Sequence, residues 1–122
     1  MSTRHSIAKS FGFAFQGISE ALANGRNFRI QIFLGLVAVT FGIFYKISEI
    51  EWLFITLTTS FVLILELINT SLESIVDLVS PEIQASAKVA KDVSAAAVLI
   101  ASITSIVIGV IIFLPKILVG VQ

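Results

Sequence analysis

Four polar residues in the middle of the chain have helical spacing. Glu66, Asn69, Glu73 and Asp77 follow one another at intervals of three, four and four, which places them on one face of a helix. At 1.5 Å per residue the stripe rises about 16 Å. Three carboxylates on one face repel one another unless a cation or basic side chains lie between them. Beyond Pro81 a short polar stretch leads to Lys88-Val89-Ala90-Lys91-Asp92, and a lysine can hold a phosphate as a point charge. Acidic metal ligands, a lysine and an oxygen-rich rim together suit magnesium–nucleotide binding. Glu73, Asp77, Lys91 and Asp92 could equally be interfacial charges that solubilise a loop. That simpler account does not extend to Glu66 with Asn69.

Glu66 stands apart because of what surrounds it. The chain has 122 residues, of which 57% are hydrophobic and only 13% charged. A typical soluble domain carries about 25% charged residues, so lipid must cover the surface that charge does not. A bilayer core needs about 20 apolar residues per helix, and three spans are expected, at about 30–46, 52–72 and 94–114. Glu66 then lies within or at the edge of the apolar zone of the second span. An acidic residue near the middle of a membrane helix costs about 3 kcal/mol, less toward its end, and no plain anchor needs to carry that cost.

Charge asymmetry gives an orientation. Arg4, Lys9, Arg26 and Arg29 precede the first span, and Lys88 and Lys91 lie between the second and third; only Lys46 and Lys116 fall on the other side. The positive-inside rule puts the N-terminus and the acidic stripe in the cytoplasm. The first run lacks a small-residue cleavage site, with Tyr45-Lys46 after it, so a cleaved signal peptide is not expected. Eight acidic residues balance eight basic ones, which argues against nucleic acid as a partner. The absence of cysteine rules out disulfides and thiolate metal sites.

Two further patterns concern assembly. Ile7, Phe11, Ala14, Phe15, Ile18 and Leu22 recur at helical spacing, which predicts an amphipathic surface helix over about 6–24. Asn24-Gly25 is expected to end it through the left-handed geometry that glycine tolerates at a helix C-cap. In the third span Ala97, Ala101, Ser105 and Gly109 form a stripe of small residues, a seam along which helices pack in lipid. Three helices make a thin bundle for enclosing a polar site, so an oligomer is expected. Three formal motifs fail. Gly12 to Gly17 lacks the lysine of a phosphate-binding loop, and Asn69-Thr70-Ser71 is a glycosylation sequon on the wrong side of the membrane. His5 is the only histidine, so neither a histidine metal site nor a serine–histidine triad has support.

The stretch from Glu66-Leu-Ile-Asn69 through Glu73 to Asp77, followed by Ala90-Lys91-Asp92-Val-Ser94-Ala-Ala-Ala-Val, resembles the signature of the prokaryotic diacylglycerol kinase and undecaprenol kinase family. Asn27-Phe28-Arg29-Ile30 after an amphipathic helix looks like that family's lead-in to its first membrane helix. The resemblance runs from about Ser6 to the end of the third span. It implies a single-domain, all-α membrane protein with a surface helix and three transmembrane helices. It implies a homotrimer in the bacterial inner membrane that phosphorylates a lipid alcohol, diacylglycerol or undecaprenol, with magnesium and ATP. By position, Glu66 would be the base that takes the lipid hydroxyl proton and Asn69 would position the reacting groups. Glu73 would ligate magnesium. Phe13, Glu73, Glu82, Lys91 and Asp92 would contact the nucleotide, and Glu66, Asn27, Arg29 and Ser94 the lipid. Phosphoryl transfer needs mainly positioning, metal and charge stabilisation, so this agrees with the reading of the stripe.

Two positions depart from the family pattern. Family members usually carry a second metal-binding glutamate three residues before the phenylalanine of Asn-Phe-Arg, where this chain has Gly25. Glu20 could serve instead, or metal binding could be weaker. The nucleotide-contacting arginine near the start of some members corresponds to Ser6, with Arg4 two residues away. A membrane assembly protein that keeps the fold with little catalysis is therefore the alternative to a lipid kinase. A channel or transporter subunit is the third reading; its acidic stripe should cross the midplane, and this one occupies one end.

Overall fold

The computed structural model describes residues 6–82 and 84–120; Arg4 and His5 lie outside the described residues. Four helices follow in chain order: α1 (Ile7–Asn24), α2 (Arg26–Phe44), α3 (Glu49–Val79) and α4 (Ala85–Val119). The last three are long and apolar enough to cross a membrane, and the described residues contain no strand. The protein is an all-helical membrane protein.

Local chemistry sets the helix ends. Ser6 caps α1, its Oγ accepting the Lys9 N–H. Ser48 and Glu51 form a reciprocal capping box at the start of α3, satisfying donors that the first turn leaves free. α2 ends at Phe44, earlier than the predicted span, because Tyr45 and Lys46 form the turn and Lys46 takes a left-handed φ of 51°. By contrast α3 and α4 overrun their predicted spans. At 1.5 Å per residue their 31 and 35 residues reach about 46 and 52 Å, longer than the roughly 30 Å of a hydrocarbon core. Caps and turns end these helices, whereas hydropathy marks only the part in lipid.

α3 runs antiparallel to α4, and ion pairs tie both ends. Lys116 Nζ lies 2.8 Å from Glu51 Oε2 at one end, and Lys91 Nζ 2.6 Å from Asp77 Oδ1 at the other. Near the first end Ile47, Ile55, Ile112 and Phe113 form the core, with Trp52 and Tyr45 against it. α2 closes on α3 at Gly42, where an added Cβ would sit 2.6 Å from the Trp52 ring. The small-residue stripe of α4 works within the chain: Ala101 is buried, and Ser105 and Gly109 line a groove shared by α2, α3 and α4. Ala97 is exposed, and a Cβ at Gly109 would meet nothing within 4 Å. Close approach is thus confined to part of the stripe.

α1 packs chiefly on α2 and α3, and apart from Ala21 its residues are exposed, Ile7, Phe11 and Phe15 among them. An apolar stripe unsupported by the bundle suits a helix lying in the membrane interface. The α1–α2 corner corrects one expectation. Gly25 has φ −101° and ψ 99°, extended backbone and not the left-handed cap. Glycine is needed there for space, because a Cβ would lie 2.6 Å from the Ala21 carbonyl oxygen that accepts the Gly25 N–H.

Candidate active site

At the end of the bundle away from the Trp52 core, α1, α2 and α3 meet around a cleft of about 460 Å³. α3 supplies Glu66, Asn69, Thr70, Glu73 and Ser74; α1 supplies Glu20, Ala21 and Asn24; the corner and the first turn of α2 supply Gly25, Arg26 and Asn27. Ala21 and Phe28, 5% and 3% exposed, pack the corner down. Arg29 makes that packing possible. Its Nη1 donates to the Leu22 and Ala23 carbonyls at 2.9 and 3.0 Å, satisfying acceptors that a helix end leaves free.

Within this frame Glu66 and Asn69 are the buried polar residues, 6% and 7% exposed. A single chain thus already withdraws Glu66 from solvent, at a cost that a buried charge repays only with polar partners. One partner comes from α2: Gln31 Nε2 donates to Glu66 Oε2 across 3.5 Å. On α3 itself the Asn69 amide donates to Glu73 Oε1 at 3.2 Å, leaving Asn69 Oδ1 buried with no partner. Thr70 Oγ1 bonds back to the Glu66 carbonyl at 2.9 Å, so its hydroxyl is used within the helix. Glu20, on the opposite wall, accepts from Asn24 Nδ2.

The donor set for an ion is one of hard oxygens, from Glu20, Glu73 and the orphaned Asn69 Oδ1. Among the described residues no three carboxylate, histidine or cysteine side chains converge into a closed cage. Magnesium does not need one, since it is ordinarily held by one or two carboxylates together with water and phosphate oxygens. The residues present fit such an ion.

The other expected residues fall elsewhere. Glu82, Lys91 and Asp92 line a second hollow, of about 340 Å³, with Asp77, Ser80 and Lys88. There Lys91 pairs with Asp77 and Asp92 with Lys88, each at 2.6 Å. The two hollows are next to each other along one helix face, Glu73 facing one and Asp77 the other. Asn27 lines the cleft, Arg29 braces α1, Ser94 is half-buried on α4, and Phe13 is exposed on α1 about two turns before Glu20. Sequence reasoning passed over Gln31, although it is the one strongly polar residue in the first apolar run.

The family model for prokaryotic diacylglycerol kinase matches residues 12–113. A diacylglycerol kinase of Synechocystis sp. is 43% identical over 110 residues, which span 89% of this chain and 63% of that protein. The undecaprenol kinase of Bacillus subtilis is 38% identical over 108 residues, 88% of each chain. The diacylglycerol kinase of Escherichia coli is 29% identical over 101 residues, 83% of each.

Proposed function

Since the chain belongs to the prokaryotic diacylglycerol kinase family, a family of lipid kinases, we propose that it transfers the γ-phosphoryl group of ATP to the hydroxyl of a membrane lipid alcohol at the α1–α2–α3 cleft. The observation that carries this reading is Glu66: a carboxylate buried on an apolar helix, one helical turn from Asn69 and about two from Glu73. A general base must lie within reach of the proton it takes. A lipid hydroxyl arrives from the membrane side, where Glu66 lies, and a nucleotide arrives from water, where Glu73, Asp77 and Lys91 lie.

In the proposed step the alcohol O–H bond breaks as the oxygen bonds to the γ-phosphorus, and the bond from phosphorus to the ADP oxygen breaks. Glu66 receives the proton. Asn69, held by its bond to Glu73, keeps the metal side of the cleft in register with the base. Glu73 and Glu20 would hold magnesium, which when bound neutralises charge on the phosphates. Because Glu20 lines the same cleft from α1, a second carboxylate is at hand without one at position 25, and this favours a working kinase over an assembly protein. Lys91, Asp92 and Glu82 then serve the nucleotide from the neighbouring hollow, with Lys91 exchanging Asp77 for phosphate. We assign the site to the cytoplasmic face of the bacterial inner membrane from the basic residues on that side, with magnesium as cofactor and a homotrimer as the assembly.

The test is transfer of labelled γ-phosphate into extracted lipid by purified protein in mixed micelles. Diacylglycerol and undecaprenol are offered side by side, with and without magnesium. Magnesium-dependent labelling of at least one lipid is expected. Labelling of neither would overturn the assignment.

A further inference from the structure

Gln31 occupies a boundary that the reaction has to cross. It is half-buried in the second turn of α2, and its Nε2 lies 3.5 Å from Glu66 Oε2. Glu66 lines the polar cleft of α1, α2 and α3. Gln31 itself lines a different space, a groove of about 280 Å³ between α2, α3 and α4, walled by Leu34, Ala38, Val62 and Phe113. The pair therefore forms the partition between an apolar groove and the polar cleft. Gln31 Oε1 is buried there with no hydrogen-bond partner, and an unmade bond on a buried acceptor is unfavourable. Such a group is retained where another state of the site uses it.

Proton accounting identifies that state. While Glu66 is ionised it only accepts, and the Gln31 N–H meets it. Once Glu66 has taken the alcohol proton, one of its oxygens becomes a donor that needs an acceptor. A primary amide carries both functions and exchanges them by a half-turn of its terminal torsion. The other charged groups of the cleft do not offer this. Glu20 on α1 and Glu73 on α3 only accept when ionised, Arg26 on α2 only donates, Lys88, Lys91 and Asp92 of α4 line the other hollow, and Lys116 pairs with Glu51 at the far end of α4.

We propose that Gln31 is a positioning residue for the base, donating to the Glu66 carboxylate before transfer and accepting from the Glu66 carboxylic acid after it, by rotation of the same amide. The inference rests on Glu66 being the base. Gln31 neither gains nor loses a proton; the proton passes from the alcohol to Glu66 and then to water as the site resets. The 3.5 Å separation is that of the resting site, and catalytic contacts of this kind tighten once substrate is bound.

Two variants test it. Gln31→Met keeps the length and removes both functions, and Gln31→Asn keeps both functions on a shorter arm. In each, kcat should fall about ten- to a hundred-fold, the scale of one lost charge-assisted bond, while KM for ATP stays within about twofold because Gln31 is remote from the nucleotide hollow. A second measurement does not depend on turnover. The infrared carboxyl band that disappears in Glu66→Gln should shift in both Gln31 variants, since it reports the bond directly. Wild-type kcat in either variant, or an unmoved band, overturns the proposal. Full turnover in Glu66→Gln would instead remove Glu66 as the base, so the two failures are distinguishable.

Discussion

Replacing Gly25 with alanine should displace α1 from the cleft. The added Cβ would lie 2.6 Å from the Ala21 oxygen and 3.3 Å from Phe28 Cβ, so the corner must open by somewhat under about 1 Å to restore ordinary contact near 3.5 Å. The φ and ψ of −101° and 99° are open to alanine, so the backbone itself is not strained. Overpacking of this kind costs about 1–3 kcal/mol, and the lower entropy of the unfolded chain returns about 0.4–1 kcal/mol of it. The net loss should be about 1–2 kcal/mol. The larger consequence is positional. Glu20 immediately precedes Ala21, and the Gly25 N–H and Arg29 guanidinium both bond to the last turn of α1. Any opening therefore moves Glu20 away from Glu73. A displacement of about 1 Å at a reacting site can cost about a hundredfold in rate. Magnesium titrations of lipid phosphorylation should show lower kcat and a higher magnesium requirement, and spin labels on α1 and α3 should report a longer distance. Gly25→Glu meets the same clash but adds an oxygen ligand, so a lower magnesium requirement than in Gly25→Ala would measure the ligand alone. Equal requirements in the two variants would show that position 25 does not limit metal binding. An alanine variant with wild-type rate, metal dependence and α1–α3 distance would refute the steric reasoning.

Other expected outcomes concern single side chains. Glu66→Gln keeps volume but cannot take a proton, so turnover should vanish while insertion and assembly persist; wild-type turnover would remove Glu66 from the mechanism. Glu73→Ala and Glu20→Gln should each raise the magnesium needed for half-maximal activity, and a metal dependence unchanged in both would make these residues interfacial charges. Ala101→Leu should lower thermal stability in detergent, because Ala101 is buried within the chain and overpacking costs about 1–3 kcal/mol. Gly109→Ala, with open space at its Cβ, should be tolerated. Equal melting points for the two would mean that the α4 stripe is not a packing seam.

The sequence alone determined the membrane class, the number of spans and the face carrying Glu66, Asn69, Glu73 and Asp77, because hydropathy and helical period are local properties of the chain. The helical period of the stripe from Ile7 to Leu22 also placed an N-terminal helix where α1 lies, although Gly25 ends it with extended backbone and not the left-handed cap. Tertiary structure decided which neighbours those residues meet. Gln31 and Glu66 are 35 positions apart, and their pairing depends on how closely α2 lies against α3, which is set at Gly35 and Gly42 by contacts with Thr59 and Trp52. Arg29 braces α1 because the angle of a one-residue corner turns it back onto the Leu22 and Ala23 carbonyls. The division of the polar stripe between two hollows, and the close approach that requires glycine at position 25, likewise depend on interhelical distances. Those distances follow from side-chain packing between segments far apart in sequence, which a periodic pattern within one helix does not encode.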